Sequence, residues 1–174
     1  AWDGVSDITY DSETKTAYVY LTTNAERTSA LEIAQGNTLY LCLNGHSITK
    51  NKSNSVVTVG NDATFSLCDC SDAQTGKLTH GTNGKGEKYD GYGINVKGTV
   101  NLYSGSITGN CNSYGGGVSI ADNSSARFYM YGGSINGNTA TSGDGSGGVH
   151  LLYGKFYMYG GSITGNGVTD AKVT

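Results

Sequence analysis

Sugar-cleaving hydrolases need two carboxyl groups about 5–10 Å apart, and lyases need a base beside a cation that stabilises an acidic sugar. The acids that could serve here are Asp69, Asp72, Glu87, Asp90, Asp122 and Asp144, with Lys97, Arg127 and Lys155 as neighbouring cations. They lie in or near turn-rich stretches and none recurs in a paired setting, so solvated loop charge explains them better than catalysis. No catalytic residue is assigned. Tyrosine is the other residue type whose number and spacing suggest chemistry. There are 13, and Tyr103, Tyr131 and Tyr159 fall at one repeated position, with Tyr129 and Tyr157 two residues before the last two. A flat array of amphipathic rings stacks on sugar faces while its hydroxyls bond sugar hydroxyls. The structural alternative is an aromatic ladder that merely stabilises a sheet, or that packs beneath a neighbouring domain of the same chain.

The elements that would position these rings follow from an internal repeat. Residues 102–110, 130–138 and 158–166 share the pattern (Leu/Met)-Tyr-(Ser/Gly)-Gly-Ser-Ile-(Thr/Asn)-Gly-Asn, with 28 residues from one copy to the next. The same register appears in Leu43-Asn44-Gly45-His46-Ser47-Ile48-Thr49 and more loosely around 65–68 and 76–79. Each copy holds three apolar stretches too short for helices and alternating with period two, as in Phe128-Tyr129-Met130-Tyr131. Three strands per turn, repeated, predict an all-β fold: a right-handed, single-stranded parallel β-helix (solenoid) of about five coils with three short strands each. Residues 1–30 are expected to form an N-terminal cap or first strand, and 31–174 the β-helix with its 28-residue repeats. With no cap after the last repeat, the chain reads as an excerpt of a longer protein.

Stacking brings like onto like at ~4.8 Å. Ile48, Leu78, Ile107, Ile135 and Ile163 should form one interior column. Leu43, Leu67, Leu102, Met130 and Met158 should form a second, beside Leu41, Phe65, Val100, Phe128 and Phe156. The Gly-Asn pairs at 109–110, 137–138 and 165–166 mark a turn, where stacked Asn side chains would bond one another between coils. Ser47/Thr49, Ser106/Thr108, Ser134/Asn136 and Ser162/Thr164 point outward. A hydroxyl grid of this kind suits ordered water, as on ice-binding solenoids, but Lys77 and Asn136 interrupt it.

Cys42, Cys68, Cys70 and Cys111 are the disulfide candidates, an even count that fits two bridges in an extracellular setting; the sequence leaves the pairing open. Cys42 and Cys68 are expected on adjacent coils but two residues apart along the strand, a long diagonal for a disulfide, and Cys70 and Cys111 in turns. No metal is expected: Cys68-Asp69-Cys70 lacks zinc spacing, His46 and His80 have no register that brings them there, and Asp90-Gly91 and Asp144-Gly145-Ser146-Gly147 read as turns rather than calcium loops. No cofactor is indicated.

Hydrophobic residues make up 36% of the 174 positions, charged residues 14%, and Gly 28 positions, which excludes a helical bundle and a disordered acidic chain. A net charge of −3 leaves no basic face for nucleic acid. No apolar run approaches the roughly 20 residues of a membrane-spanning helix.

The strings Leu41-Cys42-Leu43-Asn44-Gly45-His46-Ser47-Ile48-Thr49, Leu67-Cys68-Asp69-Cys70-Ser71 and the three repeats resemble right-handed parallel β-helix regions of large secreted or surface-anchored, adhesin-like proteins of Gram-positive gut bacteria. The resemblance covers about residues 31–166 and implies an extracellular, secreted or cell-wall-anchored location. It transfers no catalytic residue. The expectation is therefore a surface module, a stalk or a binding surface, that is not an enzyme and whose partner is a glycan or host-surface component. The ligand-binding residues would be Tyr103, Tyr129, Tyr131, Tyr157 and Tyr159. A polysaccharide lyase or glycoside hydrolase of the β-helix class is the alternative, and a purely structural spacer the second.

Overall fold

In the computed structural model, which describes residues 6–120 and 123–169, the chain is an all-β solenoid of about five turns built from stacked parallel sheets. The described residues include no helix. The first sheet runs β1 (Ser6–Asp11), β2 (Thr16–Leu21), β5 (Thr38–Cys42), β8 (Thr64–Cys68), β11 (Thr99–Leu102), β15 (Arg127–Met130), β19 (Lys155–Met158). The second runs β3 (Ala25–Arg27), β6 (Ser47–Lys50), β9 (Lys77–His80), β12 (Ser106–Thr108), β16 (Ser134–Asn136), β20 (Ser162–Thr164). The third runs β4 (Leu31–Ile33), β7 (Val57–Val59), β10 (Ile94–Val96), β14 (Val118–Ile120), β18 (Val149–Leu151). A small fourth sheet joins β13 (Cys111–Asn112), β17 (Thr139–Ala140) and β21 (Gly167–Val168) in the later coils.

Parallel pairing begins at β2 and β3, upstream of residue 31, and β1 lies antiparallel along the outer side of β2. Each strand is short because the chain must turn a corner after it, and each is held only by its neighbours in the stack. A coil alone could not offset the ~1–2 kcal/mol of backbone entropy that each ordered residue costs.

The interior columns follow from strict register. Ile48, Leu78, Ile107, Ile135 and Ile163 stack as expected, with Ala25 added at the start. On the first sheet the expected alignment of the early coils needs correction. Leu41, not Leu43, pairs with Leu67, and Leu39, not Leu41, pairs with Phe65. The columns are Val19-Leu41-Leu67-Leu102-Met130-Met158 and Ala17-Leu39-Phe65-Val100-Phe128-Phe156. The cause is the corner. Between Leu102 and Ile107 the later coils turn tightly, whereas the early coil carries two more residues there, and Leu43 fills the corner interior, fully buried. Aligning the repeats through the invariant Ser-Ile therefore shifted the preceding strand by one inward position.

The Gly-Asn corner behaves as a ladder. Gly109, Gly137 and Gly165 take positive φ of 65°, 59° and 63°, which glycine adopts without strain, and the Asn that follows turns inward. The Asn110 amide donates to Asn138 Oδ1 and the Asn138 amide to Asn166 Oδ1, both at 3.0 Å, while each oxygen also accepts the backbone N–H of the preceding Asn. Asn110 and Asn138 are buried, so these bonds replace water for groups that would otherwise be costly to desolvate.

Candidate functional site

The outward positions of the first sheet form the face on which the predicted tyrosines meet. Alternation along β15 turns Phe128 and Met130 into the core and Arg127 and Tyr129 outward; in β19, the last strand of this sheet, Phe156 and Met158 stack on them, Met158 remaining exposed, with Lys155 and Tyr157 on the outward side. Tyr131 and Tyr159 follow directly on those strands. Tyr103, Tyr131 and Tyr159 stack with ring centroids 5.1 and 5.3 Å apart, Tyr129 and Tyr157 at 5.0 Å, and Tyr129 lies 6.3 Å from Tyr131. The five predicted rings are thus one contiguous set of nearly parallel, stacked rings. Tyr103 is 50% exposed, Tyr131 45% and Tyr159 66%, and Tyr129 and Tyr157 are partly exposed between them.

Sequence reasoning missed the other end of the same face. Tyr18 and Tyr40 stack at 5.0 Å in the column that continues through Ser66 and Asn101 to Tyr129 and Tyr157. Tyr20 heads the neighbouring column, followed by Cys42. The alternating Tyr18-Val19-Tyr20-Leu21 carried the signal, but the lengthened corner after Cys42 hid its register. Between the two aromatic groups the ladder drops to Ser66 and Cys68, which leaves an apolar hollow of about 290 Å³ walled by Tyr40 and Tyr103. The third outward column reads Thr16, Thr38, Thr64, Thr99, Arg127, Lys155, so the described outward positions of the parallel strands in this sheet carry two cations and no carboxylate.

The cysteines border this face. Cys42 and Cys70 form a disulfide with Cα atoms 6.0 Å apart, and Cys68 and Cys111 are free thiols, so one bridge replaces the expected two. Cys42 and Cys68 are direct register partners rather than a diagonal pair, again because of the shifted corner. Cys111 sits in β13, not in a turn. Burial pushes both free thiols above their ordinary pKa, with Asp69 adding to the effect at Cys68 and Asp90 at Cys111, so neither is an activated nucleophile.

The candidate acids do not converge. Asp69 is buried and holds the long corner: its carboxylate accepts from the backbone N–H groups of Gly45 (2.7 Å), Gly76 (2.6 Å) and Ser71 (3.1 Å) and from Ser71 Oγ (2.9 Å). Burial alone would raise its pKa, and these bonds outweigh it, leaving the pKa below the ordinary carboxylate value. Asp72, Glu87, Asp90 and Asp144 are exposed, and Asp122 lies outside the described residues. Among the described residues no three His, Cys, Asp or Glu side chains gather as a metal site would require. The outward hydroxyls of the second sheet bond one another: Ser134 Oγ donates to Ser106 Oγ at 3.1 Å, and Thr108 Oγ1 to Asn136 Oδ1 at 2.9 Å.

A buried basic pair also escaped the sequence reading. Lys50 and His80 are register partners at the end of the second sheet, both about 1% exposed, upstream of the Asn ladder. His80 Nδ1 lies 2.8 Å from Asn110 Oδ1 and Nε2 lies 2.8 Å from the Asn54 carbonyl. Burial lowers the His80 pKa, and the two facing oxygens oppose that shift. Nothing in the spacing of Lys50 or His80 distinguishes them from surface residues. Comparisons with protein-family models, curated proteins and solved structures found no match, so function must be argued from this geometry alone.

Proposed function

We propose that this chain is an extracellular, adhesin-like module whose tyrosine face binds glycan, and that the solenoid holds that face rigid. The observation that carries the reading is the contiguous set Tyr103, Tyr129, Tyr131, Tyr157 and Tyr159, stacked at 5.0–5.3 Å within each column and open to solvent. A buried ladder would serve stability alone; exposed rings supply flat apolar area with a hydroxyl at each tip and lose little entropy on contact. Each aromatic contact is worth about 0.5–1.5 kcal/mol, so several rings in file along one face suit a chain of sugars better than a single one. A peptide would more readily add to a free sheet edge, and within this sheet each parallel strand from β2 to β15 is paired on both sides. The Cys42–Cys70 disulfide fits an oxidising compartment, and no described helix is long and apolar enough to cross a membrane. Host or cell-surface components, and neighbouring domains of the same chain, are the partners this reading implies.

A glycan-array screen of the parent and of a Tyr131→Ala, Tyr159→Ala double variant tests the reading. Binding by the parent that falls at least about fivefold in the folded double variant supports it, since losing two stacking contacts removes about 1–3 kcal/mol. A double variant that keeps every glycan of the parent, or a parent that binds none, leaves the spacer role.

A further inference from the structure

The third sheet carries a surface of a different kind. Its outward positions Glu32, Thr58 and Asn95 are register neighbours and make the floor of a groove of about 680 Å³. The walls are the corner turns at residues 28–30 and 52–55. A smaller hollow of about 160 Å³ continues past Asn95 toward Asp90 and Asn112.

The walls are fixed from beneath. Lys50 Nζ donates to the carbonyls of Thr28 (3.1 Å), Lys52 (3.1 Å) and Ser53 (2.8 Å), tying two successive turns to one buried cation. The backbone N–H groups of Asn54 and Val56 donate to Asp90 O and Tyr92 O, both at 2.9 Å. Preorganisation of this kind lowers the ordering cost of binding.

What lines the groove has not been used by the fold. In the described structure the side chains of Glu32, Ser53, Asn54, Ser55, Thr58 and Asn95 make no intramolecular hydrogen bond. Asn95 Oδ1 is buried without any donor. On the second sheet Ser106, Thr108, Ser134 and Asn136 bond one another from coil to coil, as Asn101 and Ser66 do on the first. A buried acceptor without a donor costs about 1–3 kcal/mol, and the Asn95 amide loses no bond when it turns its oxygen toward a ligand. Glu32 and Lys52 bring opposite charges to the groove, and the Lys50 charge is taken up by carbonyls, so the site does not select a strongly charged ligand.

We propose that this groove is a second binding site, for a neutral sugar. Asn95 and Glu32 accept hydrogen bonds from sugar hydroxyls, and Thr58, Ser53 and Ser55 exchange further bonds with them. The site is independent of the tyrosine face, lies on another sheet and works by hydrogen bonding rather than ring stacking.

The test titrates the whole chain with methyl glucopyranoside, galactopyranoside and mannopyranoside while recording backbone and side-chain amide NMR signals. The expected result is a saturable shift of the Asn95 side-chain amide and of the Ser53 to Ser55 backbone with at least one of the three sugars. Asn95→Ala should weaken that binding about tenfold, the equivalent of one well-formed hydrogen bond. Thr58→Trp, which fills the groove from its floor without touching the core, should abolish it. The Tyr131→Ala, Tyr159→Ala variant should bind the sugar unchanged, which separates this site from the tyrosine face. No saturable shift with any of the sugars overturns the proposal, as does parent-like binding by a folded Thr58→Trp variant. If Asn95→Ala does not fold, Thr58→Trp decides.

Discussion

The late coils and the early coils fill the same corner column with different chemistry. Asn110, Asn138 and Asn166 satisfy one another because an amide both donates and accepts, so one more coil adds one more identical rung. Lys50 and His80 occupy the equivalent place upstream, and neither repeats the amide rung: an ammonium only donates, and burial and the nearby Lys50 charge lower the His80 pKa. Lys50 therefore takes three carbonyls from two turns, and His80 joins it to the ladder by facing Asn110 Oδ1. The first-sheet corners differ in the same way. The late ones are short and Gly-bearing, while the early one is long and held by Asp69 and the Cys42–Cys70 bridge. A repeat can thus be propagated by self-complementary side chains, and each departure from it needs its own set of partners.

Breaking the staple of the early half should have the largest effect. Closing a loop with a sequence separation of 28 residues is worth roughly 3.5 kcal/mol by chain entropy, so Cys42→Ser should lower the unfolding free energy measured by urea titration by that much. Cys68→Ser and Cys111→Ser should leave it within about 0.5 kcal/mol of the parent. Asn138→Ala strikes the late half. It removes a donor to Ile107 O and to Asn166 and the acceptor for Asn110, and should cost about 3 kcal/mol in the same experiment. Lys50→Met should cost less, about 2 kcal/mol, because the three carbonyls lose their donor but a buried charge is removed as well.

Acid should act mainly on the early corner. The folded-state pKa of Asp69 is depressed, so its contribution is complete above the unfolded carboxylate range and is lost as pH falls through the folded value. Melting curves from about pH 5 to pH 2 should show this loss, and Asp69→Asn should flatten it. The smallest effect belongs to the exposed face. Tyr131→Ala removes stacks with Tyr103 and Tyr159 and should cost only about 1 kcal/mol of stability.

The late coils were legible in the sequence because stacking makes chemically like residues neighbours, so Ile107, Ile135 and Ile163 announce their own contacts. The Asn ladder was legible for the same reason. The early coils were not, since Leu43 imitates Leu102 in sequence while the longer corner hands its place to Leu41. That shift concealed the Cys42/Cys68 register pair. It also concealed the continuity of Tyr18 and Tyr40 with Tyr129 and Tyr157. Asn95 and the groove above it left no trace in the repeat, because the floor positions Glu32, Thr58 and Asn95 share no residue type from coil to coil.

The most direct test of tyrosine-face binding is NMR of the aromatic ring protons during titration with the tightest glycan from the array. Binding on this face predicts that the ring signals of Tyr103, Tyr129, Tyr131, Tyr157 and Tyr159 shift together with one dissociation constant. Saturable binding that leaves those five rings unshifted would contradict it.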